Sequence, residues 1–497
     1  MTVKTADKLL KYIRLSLVPT VLFVAVFLVS QLSQLYTFQF QEADGLFLLT
    51  PDYFRSVFSH SLPISRLLTD FQTQFYRFYY GAAFALALEA VALFLLLRLA
   101  ISRMAGRLRF RGSFAAVCEL VAAVIVAVVW YFTAVAPTTI PMVAAMLIML
   151  PVAGLSLFFR RAECPVDAGD DVAPRPSRSA GLTWLLAGLS ELVIAAAALM
   201  IAFSPTVREN EEWSSVKNGL VYRKWASVSQ LITPAKVEKN HHLMPFVAMS
   251  LAENGKLGDR LFTYPVYDEN DLDMIEEEDY YNSIFFRYLM YRNLSCPNEA
   301  IHNLFQLSVL EGHGTGFMVL RALVEEYYRV GDFDMVEKYC KVLDRSSLHG
   351  RFTKAYRTLV AAGIPAVDTS VEDRGTLPLI AHNPFLNIIT LQTLGFDSPS
   401  AKDRILCTFL LLRDLDSFVK AFEMLQDQYP KIPRHYQEAL ALYGQEHFTK
   451  ALPSFTPDDQ VLDRLILFSS ALAGGASLED QMEAFGDTYW FYYHYME

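Results

Sequence analysis

Five long apolar runs crowd the first two-fifths of the chain, and none follows Ser204. They cover roughly Leu15–Leu35, Tyr79–Leu97, Phe114–Phe132, Ile140–Phe159 and Leu182–Phe203, each near the ~20 residues an α-helix needs to cross about 30 Å of hydrocarbon. The pattern predicts a multi-pass anchor over 1–204 and a large water-soluble domain over 205–497. Between the first two runs, Phe54, Val57, Phe58, then Leu67, Leu68, Phe71, Phe75 and Phe78 recur at helical spacing, which lines them up on one face. One or two interfacial helices are expected over about 50–78, with aromatic faces toward lipid or the bundle. Tyr76, Tyr79 and Tyr80 then sit at headgroup level. The tract 160–180 holds Pro165, Gly169, Pro174 and Pro176 among polar residues, too little apolar surface to fold alone, and reads as a linker.

Beyond the anchor the periodicity is helical and partly repetitive. Leu323, Tyr327, Gly331, Val336, Cys340 and Leu343 match the skeleton of a tetratricopeptide hairpin: Leu323 and Tyr327 line the first helix, Gly331 turns the chain, and the rest pack back from the second. A weaker copy spans Ala248–Phe262 with Asn254-Gly255 as its turn, and a third spans Ile405–Leu442. In that third unit one helix carrying Leu410, Leu411, Leu412, Leu415 and Phe418 is expected to end before Pro430, and a second carries Tyr436, Ala439, Leu440 and Tyr443. Each hairpin leaves an apolar face that only a neighbour can cover, so several must stack. The expected fold is all-α: a bundle of about five transmembrane helices followed by a TPR-like α-helical repeat domain.

Charge orients this arrangement, because Lys and Arg are retained on the cytoplasmic side during insertion. Lys4, Lys8, Lys11 and Arg14 precede the first span, Arg98, Arg103, Arg107, Arg109 and Arg111 follow the second, and Arg160, Arg161, Arg175 and Arg178 follow the fourth. The expectation is a cytoplasmic-membrane protein with its N-terminus in the cytoplasm and its C-terminal domain outside. A cleaved signal peptide is the alternative for the first run, but the run is longer than a signal core and no A-x-A-like site follows it. The net charge of -10 falls mainly in the C-terminal part, notably Asp268–Asp279, which reads as a solvated acidic loop and argues against nucleic acid as a partner. Cys118 falls inside a span and Cys164 in the linker, while Cys296, Cys340 and Cys407 are scattered through the C-terminal domain without paired or metal-type spacing and read as buried core thiols.

The chain resembles an uncharacterised family of bacterial multi-pass membrane proteins with a helical, tetratricopeptide-like exported tail. The resemblance rests on Leu48-Leu-Thr-Pro-Asp-Tyr-Phe54, Gln72-Thr-Gln-Phe-Tyr76, Ser250-Leu-Ala-Glu-Asn-Gly-Lys-Leu-Gly-Asp259 and Pro433-Arg-His-Tyr-Gln-Glu-Ala-Leu440. It implies architecture and envelope location, and no chemistry.

Three constellations bear on chemistry. Glu89, Glu119 and Glu191 fall inside apolar runs, where an ionised carboxylate costs several kcal/mol unless paired. No Lys or Arg sits at matching depth in the sequence, so protonated carboxyl groups joining helices by hydrogen bonds are expected. Glu42 and Asp44 follow the first span in what reads as an external loop. That layout resembles polytopic glycosyltransferases using lipid-linked sugars, in which such a carboxylate is a general base or helps hold a divalent cation; the chain departs from them in its span number and in lacking a second acidic loop motif. His241-His242 point to different helix faces, Gly312-His-Gly-Thr-Gly316 lacks a Walker Lys and a preceding strand, and no nucleophile elbow is present. No metal or cofactor is expected. The aromatic C-terminus Thr488–Met496 must be covered, by the last groove of the domain, the membrane or a partner.

The reading is a non-enzymatic scaffold or accessory subunit of an envelope process, with membrane lipid and a protein or peptide as partners. The alternative is a glycosyltransferase-like membrane enzyme working through Glu42 and Asp44. A transporter component using Glu89 and Glu191 is a third reading.

Overall fold

The computed structural model describes residues 3–105, 114–157, 178–274, 280–310, 316–346, 348–364, 399–446 and 457–495, the side chains of 3–15, 44, 104–105, 178–180 and 446 excepted. Among them every regular element is a helix. The chain divides into two compact units, Met1–Asn218 with Leu343–Gly350, and Gly219–Val342 with Arg351–Glu497.

In the first unit, four helices are long and apolar enough to cross a membrane: α1 (Val3–Ser33), α5 (Gly81–Ala105), α6 (Phe114–Val135) and α8 (Arg178–Ala202). The fifth apolar helix, α7 (Ile140–Ser156), is shorter. Residues 158–177, which include most of the expected linker, Cys164 and the end of the fourth run, lie outside the described residues, and 178–180 already belong to α8. α1 packs on α5 and α8, α6 on α8, and α5 on α6 and α7. One stripe per helix is buried: Val18, Leu22 and Val26 on α1, Leu86, Ala90 and Leu93 on α5, Ala122, Val126 and Trp130 on α6, Ile194, Ala197 and Ile201 on α8. The opposite faces are apolar too, with Leu32, Leu88, Phe132, Leu192 and Leu199 about half exposed or more. A helix apolar all round needs an apolar surrounding, which hydrocarbon provides and water does not.

The first span runs almost directly into α2 (Leu35–Asp44), whose first amides, at Tyr36 and Thr37, donate to the Glu211 carboxylate of α9 (Pro205–Val221) at 2.8 and 2.9 Å. The anion satisfies orphan donors at a helix start. Two short amphipathic helices follow, α3 (Pro51–Phe58) and α4 (Pro63–Thr73). Thr50 caps α3 and Pro51 occupies its first turn, a sequence-level start signal. Tyr53 Oη donates to Asp70 at 2.7 Å and ties the pair together. Phe58, Ile64, Leu68, Phe71, Phe75 and Phe78 stay substantially exposed on this pair and the segment after it.

The second unit contains α10 (Trp225–Leu231), α11 (Pro234–Lys239), α12 (Met244–Glu253), α13 (Leu257–Arg260), α14 (Tyr280–Asn293), α15 (Pro297–Leu310), α16 (Phe317–Val330), α17 (Phe333–Leu343), α18 (Gly350–Ala361), α19 (Pro399–Leu411), α20 (Leu415–Leu425), α21 (Arg434–Glu446), α22 (Asp459–Ala473), α23 (Leu478–Phe485) and α24 (Tyr489–Tyr495). α14 packs on α15, α15 on α16, α12 on α19, and α21 on α22 and α24. Where the sequence suggests its best hairpin, α16 and α17 follow one another across a turn at Gly331 and Asp332. Gly331 ends α16 at φ 84°, a left-handed position that favours glycine. Leu323, Val336, Cys340 and Leu343 are buried, and Tyr327 stacks on Tyr339 with ring centres 5.7 Å apart.

The other two hairpins differ from expectation. After Asn254-Gly255 the chain makes only the four-residue α13 before a 3₁₀ turn. In the third, no single helix runs from Leu410 to Phe418. It breaks at Leu412–Asp414, with Arg413 at φ 59° and the Asp414 side chain accepting from the Ser417 amide, so α19 and α20 are themselves the antiparallel pair. Apolar spacing is blind to such a break, because the leucines on both sides are buried.

Candidate functional site

The carboxylates singled out in the first unit are not gathered in one place. Glu42 lies on α2, not in a loop, and is only 7% exposed; Asp44 ends the same helix and its side chain lies outside the described residues. The first span is prolonged helically because no Gly or Pro occurs between Leu35 and Asp44. Glu119 is 3% exposed in its side chain and is met by Arg98 Nη2 at 2.9 Å. This corrects the expectation of an unpaired carboxyl group. Arg98 closes the second apolar run in the sequence, yet the helix continues to Ala105 and so carries Arg98 to the depth of Glu119. Glu89, half-buried, lies within hydrogen-bond reach of Gln72, and its other oxygen has no partner among the described residues. Gln72 Nε2 in turn donates to Tyr76 Oη at 3.0 Å, and Tyr76 Oη donates to Thr139 at 3.3 Å. Glu191 is half-buried on α8.

The densest charged arrangement is in the second unit and was not singled out from sequence. Glu325 and Glu326 sit side by side on α16. Arg292 of α14 pairs with Glu325, and its Nε stands 3.3 Å from Glu326. Arg321 reaches Glu325 at 2.8 Å and Arg329 reaches Glu326 at 2.8 Å. Helical spacing of three and four brings the last two pairs together, and that part was legible; Arg292 comes from another helix and was not. Burial opposes charge at Glu325, but Arg292 and Arg321 outweigh it and hold the carboxyl below its usual range. At Glu326 burial wins and the carboxyl is raised despite Arg329 and Arg292.

A fourth guanidinium borders this network. Arg223, exposed, sits at φ 55° in the turn before α10, a conformation costly for a side chain with a Cβ. Loss of solvation beside the packed network first, and the charge of Arg292 next, push it below the ordinary guanidinium range. Its neighbours Tyr222 and Lys224 are exposed as well, and Arg321 lies over the Tyr222 ring at 5.2 Å. The result is a basic and aromatic patch on the surface of the unit, backed by buried ion pairs.

Two of the sequence segments that carried the family resemblance meet in the same unit. Gly258 lies against the second: a Cβ there would fall 2.6 Å from Tyr436 and 2.7 Å from Pro433. The Arg434 amide donates to Asp259 at 2.8 Å. Gly258→Ala is therefore expected to destabilise the second unit by about 1–3 kcal/mol through overpacking, read as a lowered denaturation midpoint of the full chain in detergent. The aromatic C-terminus packs here too: Tyr489, Trp490, Phe491 and Tyr492 are buried, Trp490 Nε1 donates to the Glu438 carbonyl at 2.9 Å, and Phe262 packs on Tyr489 and Tyr492. Of the expected acidic loop, 275–279 lie outside the described residues; Asp271 is buried and held by His241 rather than solvated. Gly312–Thr315 also lie outside them. Cys118, Cys296, Cys340 and Cys407 are buried and in no disulfide among the described residues, and among the same residues no group of His, Cys, Asp and Glu is placed to hold a metal.

A model of a family of unknown function (DUF6057) matches residues 11–221 and 182–496 of the chain. No curated protein matches the chain, and no solved structure matches it.

Proposed function

We propose that this chain, which belongs to that family of unknown function, is a multi-pass membrane protein whose second unit is a TPR-like module that binds a protein or peptide outside the cytoplasmic membrane. The reading takes the N-terminus as cytoplasmic, from the basic residues before the first span and between the second and third. The membrane part fixes location, and the helical module does the recognising, as a scaffold or accessory subunit of an envelope process. The observation that carries the reading is the patch of Tyr222, Arg223, Lys224 and Arg321. Arg and Tyr are the side chains that most often dominate protein interfaces, and Arg223 is held in a strained turn. Its charge fits a partner segment that presents carboxylates. Glu42, buried on a helix, gives the enzyme alternative no exposed general base.

The test is crosslinking and pull-down from native membranes with the full chain. Arg223→Glu should weaken capture of the partner about tenfold, equivalent to ~1.4 kcal/mol, while Arg223→Lys retains part of it. The pair Glu42→Gln with Asp44→Asn should leave capture unchanged. Equal capture by wild type and Arg223→Glu would remove the patch from the interface, and loss of a co-purifying glycolipid in the Glu42/Asp44 variant would point to the enzyme reading instead.

A further inference from the structure

A small, partly open pocket in the second unit is walled by Met249, Glu253, Met290, Asn293, Ser400 and Arg404. Glu253 is the last residue of α12, Asn293 the last of α14, and Ser400 and Arg404 lie on α19, so three helices meet at it. Glu253 Oε1, Asn293 Nδ2 and Arg404 Nε, three buried polar atoms of its lining residues, have no partner among the described residues. Arg404 is only 4% exposed; its Nη2 donates to the Leu272 carbonyl, and its guanidinium lies 5.7 Å from the centre of the Phe286 ring. A buried donor or acceptor left unmade costs about 1–3 kcal/mol. Three around one space call for a ligand.

The chemistry of the wall restricts what that ligand is. Two of the orphaned atoms are N–H donors and the third is a carboxyl oxygen, so the ligand must both accept and donate. The charges nearby already balance: Arg404 and Arg223 act on Glu253, and Asp273 acts on Arg404. An anion would be repelled by the Glu253 oxygen and a cation by the Arg404 guanidinium. The free space is about that of one water molecule.

We propose that this cavity is a binding site for a single ordered water, which accepts from Arg404 Nε–H and Asn293 Nδ2–H and donates to Glu253 Oε1. The molecule then adds to the hydrogen bond between Ser400 of α19 and Glu253 of α12 and links the C-terminal ends of α12 and α14 to the first half of α19.

The experiment is an experimental structure of the full chain at a resolution that shows ordered solvent, determined in bromide so that a halide is told from water by anomalous scattering. The expected result is a peak about 2.7–3.2 Å from all three atoms with no anomalous signal. An empty cavity, side chains of Glu253 and Arg404 turned to bond each other directly, or a bromide peak in the site would each overturn the proposal, the last by replacing water with an anion.

Discussion

Glu119→Leu is expected to destabilise the first unit by about 3–5 kcal/mol, the usual cost of removing one partner from a buried ion pair. The Arg98 and Glu119 side chains are 22% and 3% exposed and lie 2.9 Å apart. Taking two charges out of water is costly, and their attraction offsets this only while both are present. Arg98 has a long stem and some exposure, so when left alone it can extend its head toward the membrane surface. Glu119 has no such route but can shed its charge by taking up a proton, so both single changes should destabilise the unit. The double replacement by leucine restores an apolar seam between α5 and α6 and should recover most of the loss. A double-mutant cycle in mild detergent measures this; additive effects below about 1 kcal/mol for each single change would show that the pair contributes nothing to stability.

Glu438→Leu in α21 is the second large effect, again about 3–5 kcal/mol. Its carboxylate is 1% exposed and meets His435 Nδ1 at 3.0 Å, Arg434 Nε at 2.7 Å and the Tyr489 amide at 2.8 Å. Losing it strands three donors and loosens the C-terminal aromatic helix. The same group gives the unit a pH dependence. Burial would raise Glu438, but His435, Arg434 and the Tyr489 amide outweigh it and hold the carboxyl below its usual range; Asp487, against Arg464 and Arg434, is likewise lowered despite partial burial. A carboxyl group depressed in the folded state contributes stability that is complete above its unfolded value of about 4 and fades as pH falls through the lower folded value. Unfolding followed by tryptophan fluorescence should show the wild type losing stability on acidification below about pH 4 more steeply than Glu438→Gln. Parallel profiles for the two proteins would place the acid sensitivity elsewhere.

Gly331 and Gly258 show what made the fold partly readable. Gly331 could be assigned as a turn because the apolar spacing on either side fits two helices and glycine alone accepts φ 84° cheaply. Gly258 was legible only as part of a motif, since its reason, the ring of Tyr436 from a helix far along the chain, is a tertiary fact. The break at Arg413 escaped detection for the opposite reason: it uses a residue with no turn preference, and the Asp414 cap that supports it is one residue among many polar ones. The charged network around Arg292 was half visible, in the i,i+3 and i,i+4 pairs of α16, and half hidden, in the approach of α14.

The sequence by itself determined the helical class, the apolar spans and the amphipathic pair that follows the first of them, because each depends on local periodicity and on the length of an apolar run. Only the tertiary structure decided which charges are partnered. Arg98 with Glu119, Arg292 with Glu325, and Glu438 with the amide of Tyr489 join residues about 20 to 50 positions apart, and a Coulombic pairing that depends on distance through space leaves no periodic trace along the chain.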